Sequence, residues 1–198
     1  SYPHWDVWHQ GHQPDTTYLN YQLFLQLTNA SNNAGWHRTD TGFTTNLFTP
    51  PRYQYNETGK TYIAYCFAEV EGYSRFGNYK GNAADNGTFV HLGVKTAWGM
   101  IKCADDTGNF TSWTIYDNVR KTRNRMVDGD TSNPLYANKT AKEGERGNGT
   151  TDLSANACSI DFLSNGFKCR DNANEINQED NYVYIAFAEQ PFKYANAE

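Results

Sequence analysis

The sequence predicts an all-β fold, an antiparallel β-sandwich of the jelly-roll, concanavalin A-like type in two related units. Three observations carry this expectation. A strand-type run occurs twice in the 198-residue chain, as Thr61–Val70 and as Asn181–Gln190. Aligning Phe67-Ala68-Glu69 with Phe187-Ala188-Glu189 also sets Tyr62 on Tyr182 and Cys66 on Ala186, and such a repeat decides the fold class before other signals do. Asn165-Gly166 lies between apolar runs, the strongest short hairpin signal, because a type I′ turn needs positive φ at both central residues. Abundant Gly, Asn and Thr separate short β-branched and aromatic stretches, as turns separate strands.

The elements follow in chain order. Trp5-Asp-Val-Trp8 alternates as a half-buried strand does and matches Trp113-Thr-Ile-Tyr116. Tyr18 to Thr28 is apolar-rich, and its Thr/Asn surroundings favour strand over helix. Thr41–Thr49 matches Ile160–Cys169, with Phe43 on Phe162, Asn46 on Asn165 and Phe48 on Phe167. Thr61–Val70 is the pivotal strand, and Gly72–Thr88 reads as the linker between units. Phe89–Val94 and Ala97–Cys103 read as two strands around a turn at Lys95-Thr96. Asn118–Gly149 is a long polar loop anchored at Pro134–Ala137, and loops of that length are usually functional or mobile. The units are expected at residues 1–80 and 81–198. The first has no counterpart of Phe89–Cys103, which would leave an open sheet edge. A fragment of a longer protein is the expected explanation, ahead of a neighbouring chain that covers the gap.

Composition bounds the function. Aromatics make up 15% of the chain, enough for a core, and the formal net charge of -5 argues against a nucleic-acid scaffold. The one basic cluster, Arg120–Arg125, lacks interleaved aromatics and is followed by Asp128 and Asp130, as in a solvated loop. No stretch approaches the roughly 18 apolar residues of a membrane span, and no signal peptide is visible. The cysteines, Cys66, Cys103, Cys158 and Cys169, lack zinc-site spacing. Cys66 matches a buried alanine position. With a turn at Asn165-Gly166, Phe162 faces Cys169, and Cys158 lies roughly 13 Å further along, beyond disulfide reach. Free thiols are expected.

Five blocks carry a resemblance: Gly72-Tyr-Ser-Arg-Phe-Gly-Asn-Tyr-Lys-Gly-Asn82, Phe89–Lys102, Trp113–Asp117, Ile160–Lys168 and Tyr184–Asn196. In order and spacing they resemble the repeat domain of large tail-fibre or appendage proteins of marine bacteriophages. The resemblance covers the second unit almost throughout and the first from about Thr41. It implies a concanavalin A-like jelly-roll, a virion-surface location, and host-facing contact with polysaccharide or with other virion proteins, including copies of the chain. It carries over no catalytic or ligand residue; no cofactor is expected, and charge and hydropathy lead to the expectation of no nucleic-acid partner and no membrane insertion. Lys95-Thr96 and the long basic loop at Asn118–Gly149 depart from the pattern.

Several residues are candidates for chemistry. Sugars stack on aromatic rings while Asn and Asp supply directional hydrogen bonds. Tyr73, Phe76, Tyr79, Asn82, Asp85 and Asn86 form such a mixture, and Asn133, Tyr136 and Asn138 form another. For any one of them, packing on the chain's own sandwich is the plainer reading. Glu69 and Glu71, two apart on a strand, would share a face as paired carboxylates of a glycan hydrolase do. Against this, Glu69 recurs as Glu189, and Glu71 meets Pro191. His4, His9 and His12 lack a converging carboxylate or thiolate and read as a loop rather than a metal site. Asn-X-Ser/Thr sequons at Asn29, Asn56, Asn86, Asn109, Asn138 and Asn148 fit a secreted eukaryotic lectin-like glycoprotein, the rival origin. A purely structural virion repeat is the remaining alternative.

Overall fold

The computed structural model describes residues 4–12, 21–33, 55, 57–105, 111–120, 134–143 and 158–190. Among them there is no helix, and every strand pairing is antiparallel. The strands are β1 (Asp6–Val7), β2 (Tyr21–Phe24), β3 (Asn32–Asn33), β4 (Ser74–Lys80), β5 (Phe89–His91), β6 (Thr96–Cys103), β7 (Thr114–Asp117), β8 (Leu135–Tyr136), β9 (Ile160–Leu163), β10 (Gly166–Cys169) and β11 (Asn181–Ala188). They form a five-stranded sheet ordered β4-β11-β6-β7-β8, a three-stranded sheet β5-β10-β9, and a small sheet β1-β2-β3. The arrangement is sandwich-like.

The period of two along β11 explains the layering. Tyr182, Tyr184 and Ala186 face the three-stranded sheet and join Ile101, Cys103, Tyr116, Val90, Ile160, Phe162, Phe167 and Cys169 in the main core. Val183 faces the other way and packs with Leu23 and Trp113 in a second cluster, flanked by Val7, Leu25 and Met100. The small N-terminal sheet therefore covers one end of the outer face of the five-stranded sheet. Its backbone bonds the layer beneath in both directions: Phe24 O accepts from Trp113 Nε1 at 2.9 Å and Thr28 O from Thr111 Oγ1 at 2.5 Å, while Ser31 N donates to Ala104 O at 2.8 Å. Lys102 points outward into this junction, fully buried, and its ammonium donates to Thr28 O and Cys103 O.

Several expectations are corrected. Thr61–Val70 is not a strand: among the described residues its one ladder contact is an isolated bridge, Val70 to Ser74. A strand exists only with a partner, and the strands that flank its counterpart β11, namely β4 and β6, are already paired to β11 itself. The two runs thus occupy unlike settings. Cys66 is exposed rather than buried; the four cysteines are free, and Cys103, Cys158 and Cys169 are buried.

Ser74–Lys80 is a strand, not linker, and it pairs over its whole length with β11, across the boundary expected at residues 80 and 81. Its Gly content misled because glycine inside a strand marks a close approach as well as a loop. A Cβ on Gly77 would meet Tyr184 Oη at 2.5 Å. Residues Phe89–Val94 and Ala97–Cys103 do not pair with each other; β5 joins β10 and β6 joins β11. The hairpin turns at Ser164-Asn165, since Leu163 pairs with Gly166 and Cys169 with Ile160. Cys158 therefore lies two residues past the partner of Cys169 rather than four. Gly166 is needed for space: a Cβ there would meet Val90 O at 2.0 Å. Thr41–Thr49 lies outside the described residues.

Candidate functional site

Beyond the second cluster, the described residues at the other end of the five-stranded sheet form an aromatic patch, at whose border Gln10 Nε2 donates to Phe76 O at 2.9 Å. Register builds it. Phe187 of β11 pairs with Ser74 of β4 on one side and Trp98 of β6 on the other, and Phe76 pairs with Ile185, two positions along. All of these project from the outer face, opposite the core. The Phe187 ring centroid lies 5.7 Å from Trp98, 6.1 Å from Phe76 and 5.6 Å from Tyr73. Phe67, from the exposed run before β4, closes the group at 6.2 Å from Phe76 and 6.3 Å from Phe187. Phe67 is 65% and Tyr73 39% exposed, while Phe76, Trp98 and Phe187 are half-buried.

A polar rim borders the rings. Glu69 Oε1 accepts from Phe76 N at 3.0 Å, and Glu69 lies 3.6 Å from Arg75, whose Nε donates to Leu92 O at 3.2 Å on the core side of the sheet. Opposite them, Glu189 pairs with Lys95 at 2.5 Å and accepts from Asn118 Nδ2 at 3.0 Å. An apolar centre inside charged and amide groups is the composition of a surface that takes an amphipathic ligand.

The candidates read from sequence fall into three places. Tyr73 and Phe76 belong to the patch. Tyr79 faces the core, stacked on Tyr182 at 5.1 Å, with its hydroxyl donating to Ile176 O at 2.6 Å. Asn82, Asp85 and Asn86 are exposed at the far end of β4, about 30 Å from Tyr73 at strand rise. There Asn177, fully buried, binds the loop: its Nδ2 lies 2.9 Å from Asn82 Oδ1 and 2.8 Å from Ala84 O, and its Oδ1 accepts from Asn82 N at 3.2 Å and Thr88 N at 3.3 Å. Asn82 Nδ2 donates to Asn86 O at 3.3 Å. Asn133 lies outside the described residues. Tyr136 is buried on β8, and Asn138 Oδ1 accepts from Trp113 N at 3.0 Å.

Glu69 and Glu71 do not share a strand face, because no strand forms there. Among the described residues no group of three His, Cys, Asp or Glu side chains is placed to hold a metal. His9 is a latch instead. It is buried, its Nε2 donates to Tyr184 O at 3.0 Å, and its Nδ1 accepts from Gly11 N at 3.0 Å. Those two bonds fix the neutral Nε2–H tautomer, and burial pushes the imidazole down to about 4. His4 bonds Gln26 at 2.6 Å, and His12 packs edge-on against Tyr21.

Sequence reasoning missed Phe67, Trp98 and Phe187 as patch members. The usable signal was the outward alternation Val183, Ile185, Phe187 set beside Trp98 and Met100, which acquires meaning only once the strand neighbours are known. No helix among the described residues is long and apolar enough to cross a membrane. Searches of curated proteins and of solved structures each returned no match. A family model matches residues 1–191, and the chain belongs to that family, described as a domain of unknown function, DUF7483.

Proposed function

We propose that this chain is a non-enzymatic, surface-displayed domain of a phage tail fibre or appendage, and that its aromatic patch binds host-surface polysaccharide. The carrying observation is the cluster of Tyr73, Phe76, Trp98 and Phe187, half-buried or exposed on an outer sheet face and bordered by Glu69, Lys95, Glu189 and Asn118. Ring faces take sugar C–H surfaces, and the rim takes hydroxyls. The use of Glu69 to bond Phe76 N and Arg75 supports a non-catalytic role for it. The jelly-roll with two related units is the finer fold of the same reading. The antiparallel sandwich-like layers support the jelly-roll part; the two related units rest on the internal sequence match, since Thr61–Val70 and β11 occupy unlike settings.

A glycan array on the intact chain tests the reading. Binding to a bacterial polysaccharide, weakened about tenfold or more by Trp98→Ala, is the expected result, the scale of losing a central aromatic contact. An array negative throughout would overturn the glycan reading in favour of a purely structural virion repeat, which the exposed apolar run at Thr61–Val70 favours. Release of reducing ends that Glu69→Gln abolishes would make the chain a hydrolase.

A further inference from the structure

Thr61-Tyr-Ile-Ala-Tyr-Cys-Phe-Ala68 is the most anomalous surface of the described chain. Ile63 is 71%, Tyr65 70%, Phe67 65% and Tyr62 46% exposed. The eight residues contain no charge, proline or glycine, and β-branched and aromatic side chains dominate them. No strand pairs with them among the described residues. Among the described residues, Tyr62 Oη accepts from Glu57 N at 3.2 Å, Ala68 O accepts from Ser74 Oγ at 3.1 Å, Tyr65 stacks on Trp5 at 6.2 Å, and Phe67 meets the sheet through Phe76 and Phe187.

The same pattern elsewhere in the chain shows what such a run does. β11 matches the run from Tyr62 to Glu69 at Tyr62, Phe67, Ala68 and Glu69 and is flanked in its sheet by an antiparallel neighbour on each side, with half of its residues buried. Thr61–Ala68 thus has the sequence of a central strand and the exposure of an unfilled edge. Natural edges carry lysine, proline or a bulge to block pairing, and this one carries none of them. Uncharged, proline-free segments of this composition pair with their own kind.

We propose that Thr61–Ala68 is a self-association strand, which pairs antiparallel with the same segment of a second copy across a two-fold axis. The absence of charge removes like-charge repulsion when a segment meets itself, and both faces of the run are apolar, so either edge of the pair buries side chains. A two-fold pairing is isologous and closes at two copies unless the outer edges also join. Phe67 belongs to both the segment and the aromatic patch, so the two tests use residues that are not shared: Ile63 here and Trp98 for the glycan reading.

Sedimentation equilibrium and amide exchange on the intact chain across a concentration series test it. A dimer is expected, with amides of residues 61–68 becoming protected as concentration rises. Ile63→Pro removes a ladder donor at a site with no other described contact, and it should weaken dimerisation by about tenfold or more, the scale of a lost pairing bond plus its strand geometry. Ile63→Lys should weaken it likewise, and near-ultraviolet circular dichroism should show both variants folded. A chain monomeric at every concentration would overturn the proposal. So would a dimer that both variants leave intact, or protection of residues 61–68 independent of concentration, which would seat the segment within its own molecule.

Discussion

Asn177 and His9 show how single buried polar groups hold separate pieces of this chain together. The Asn177 amide joins the loop after β4 to the loop before β11. Asn177→Ala leaves Asn82 N, Thr88 N and Ala84 O short of partners, at a cost of roughly 2–4 kcal/mol. Thermal unfolding should read this as a fall in Tm of roughly 5–15 °C. His9 is held neutral, with its pKa lowered by burial to about 4 from 6.5. The unfolded chain binds the proton first, so stability is fully present above pH 6.5 and is lost as pH falls toward 4. Urea unfolding at neutral pH and at about pH 4.5 should differ by about 2–3 kcal/mol from this group. His9→Gln should flatten that slope. His12, also lowered by burial, adds in the same direction.

At the scale of elements, pairing and space decide more than propensity does. Gly11 lies against the backbone of Gly77, where an added Cβ would stand 2.6 Å from the carbonyl carbon. Gly11→Ala should therefore lift the N-terminal layer off β4 while the main core stays closed. Amide exchange would show β1 and β2 opening faster with β11 unchanged; equal acceleration of both would refute this. Leu23→Ala, in the second cluster, should cost about 2–4 kcal/mol in the same opening.

The sequence carried these elements unevenly. β1, β2, β7, β9, β10 and β11 were legible from alternation and turn residues. β4 was not, because the Gly77 and Asn78 that resemble a loop serve a strand whose glycine makes room for Tyr184. Thr61–Val70 was misread for the opposite reason: its residues specify a strand, and what leaves it unpaired, the lack of a partner strand among the described residues, is invisible in a local pattern. Of the site, Tyr73 and Phe76 were visible as aromatics, but Trp98 and Phe187 depend on which strands are neighbours. Tyr79 was drawn from the same cluster and faces the other way by the period of two.

For the whole molecule, the main core is rich in ionisable groups held in their neutral forms. Burial pushes Cys169 up to about 12 and raises Tyr79, Tyr116 and Tyr182 far above the ordinary phenol range. A raised folded pKa gives stability that is present below the unfolded value and lost as pH rises through the folded one. The chain should thus weaken steadily from about pH 9 upward as the unfolded thiols and phenols ionise first. Phenolate absorbance should rise together with loss of structure; free titration of these tyrosines in the folded chain would contradict the packing. A sandwich closed by such groups is insulated from mild alkali only as long as both layers stay together.

Lys102 turns that layered construction into something that can be timed. Its primary amine is sealed beneath the N-terminal sheet, with carbonyl oxygens of Thr28 and Cys103 as its acceptors. An acylating reagent in the medium will tag the surface lysines at once and this one only during moments when the cover is off. The rate at which Lys102 acquires a tag, read by mass spectrometry of its peptide, is therefore a clock for how often the outer layer breathes.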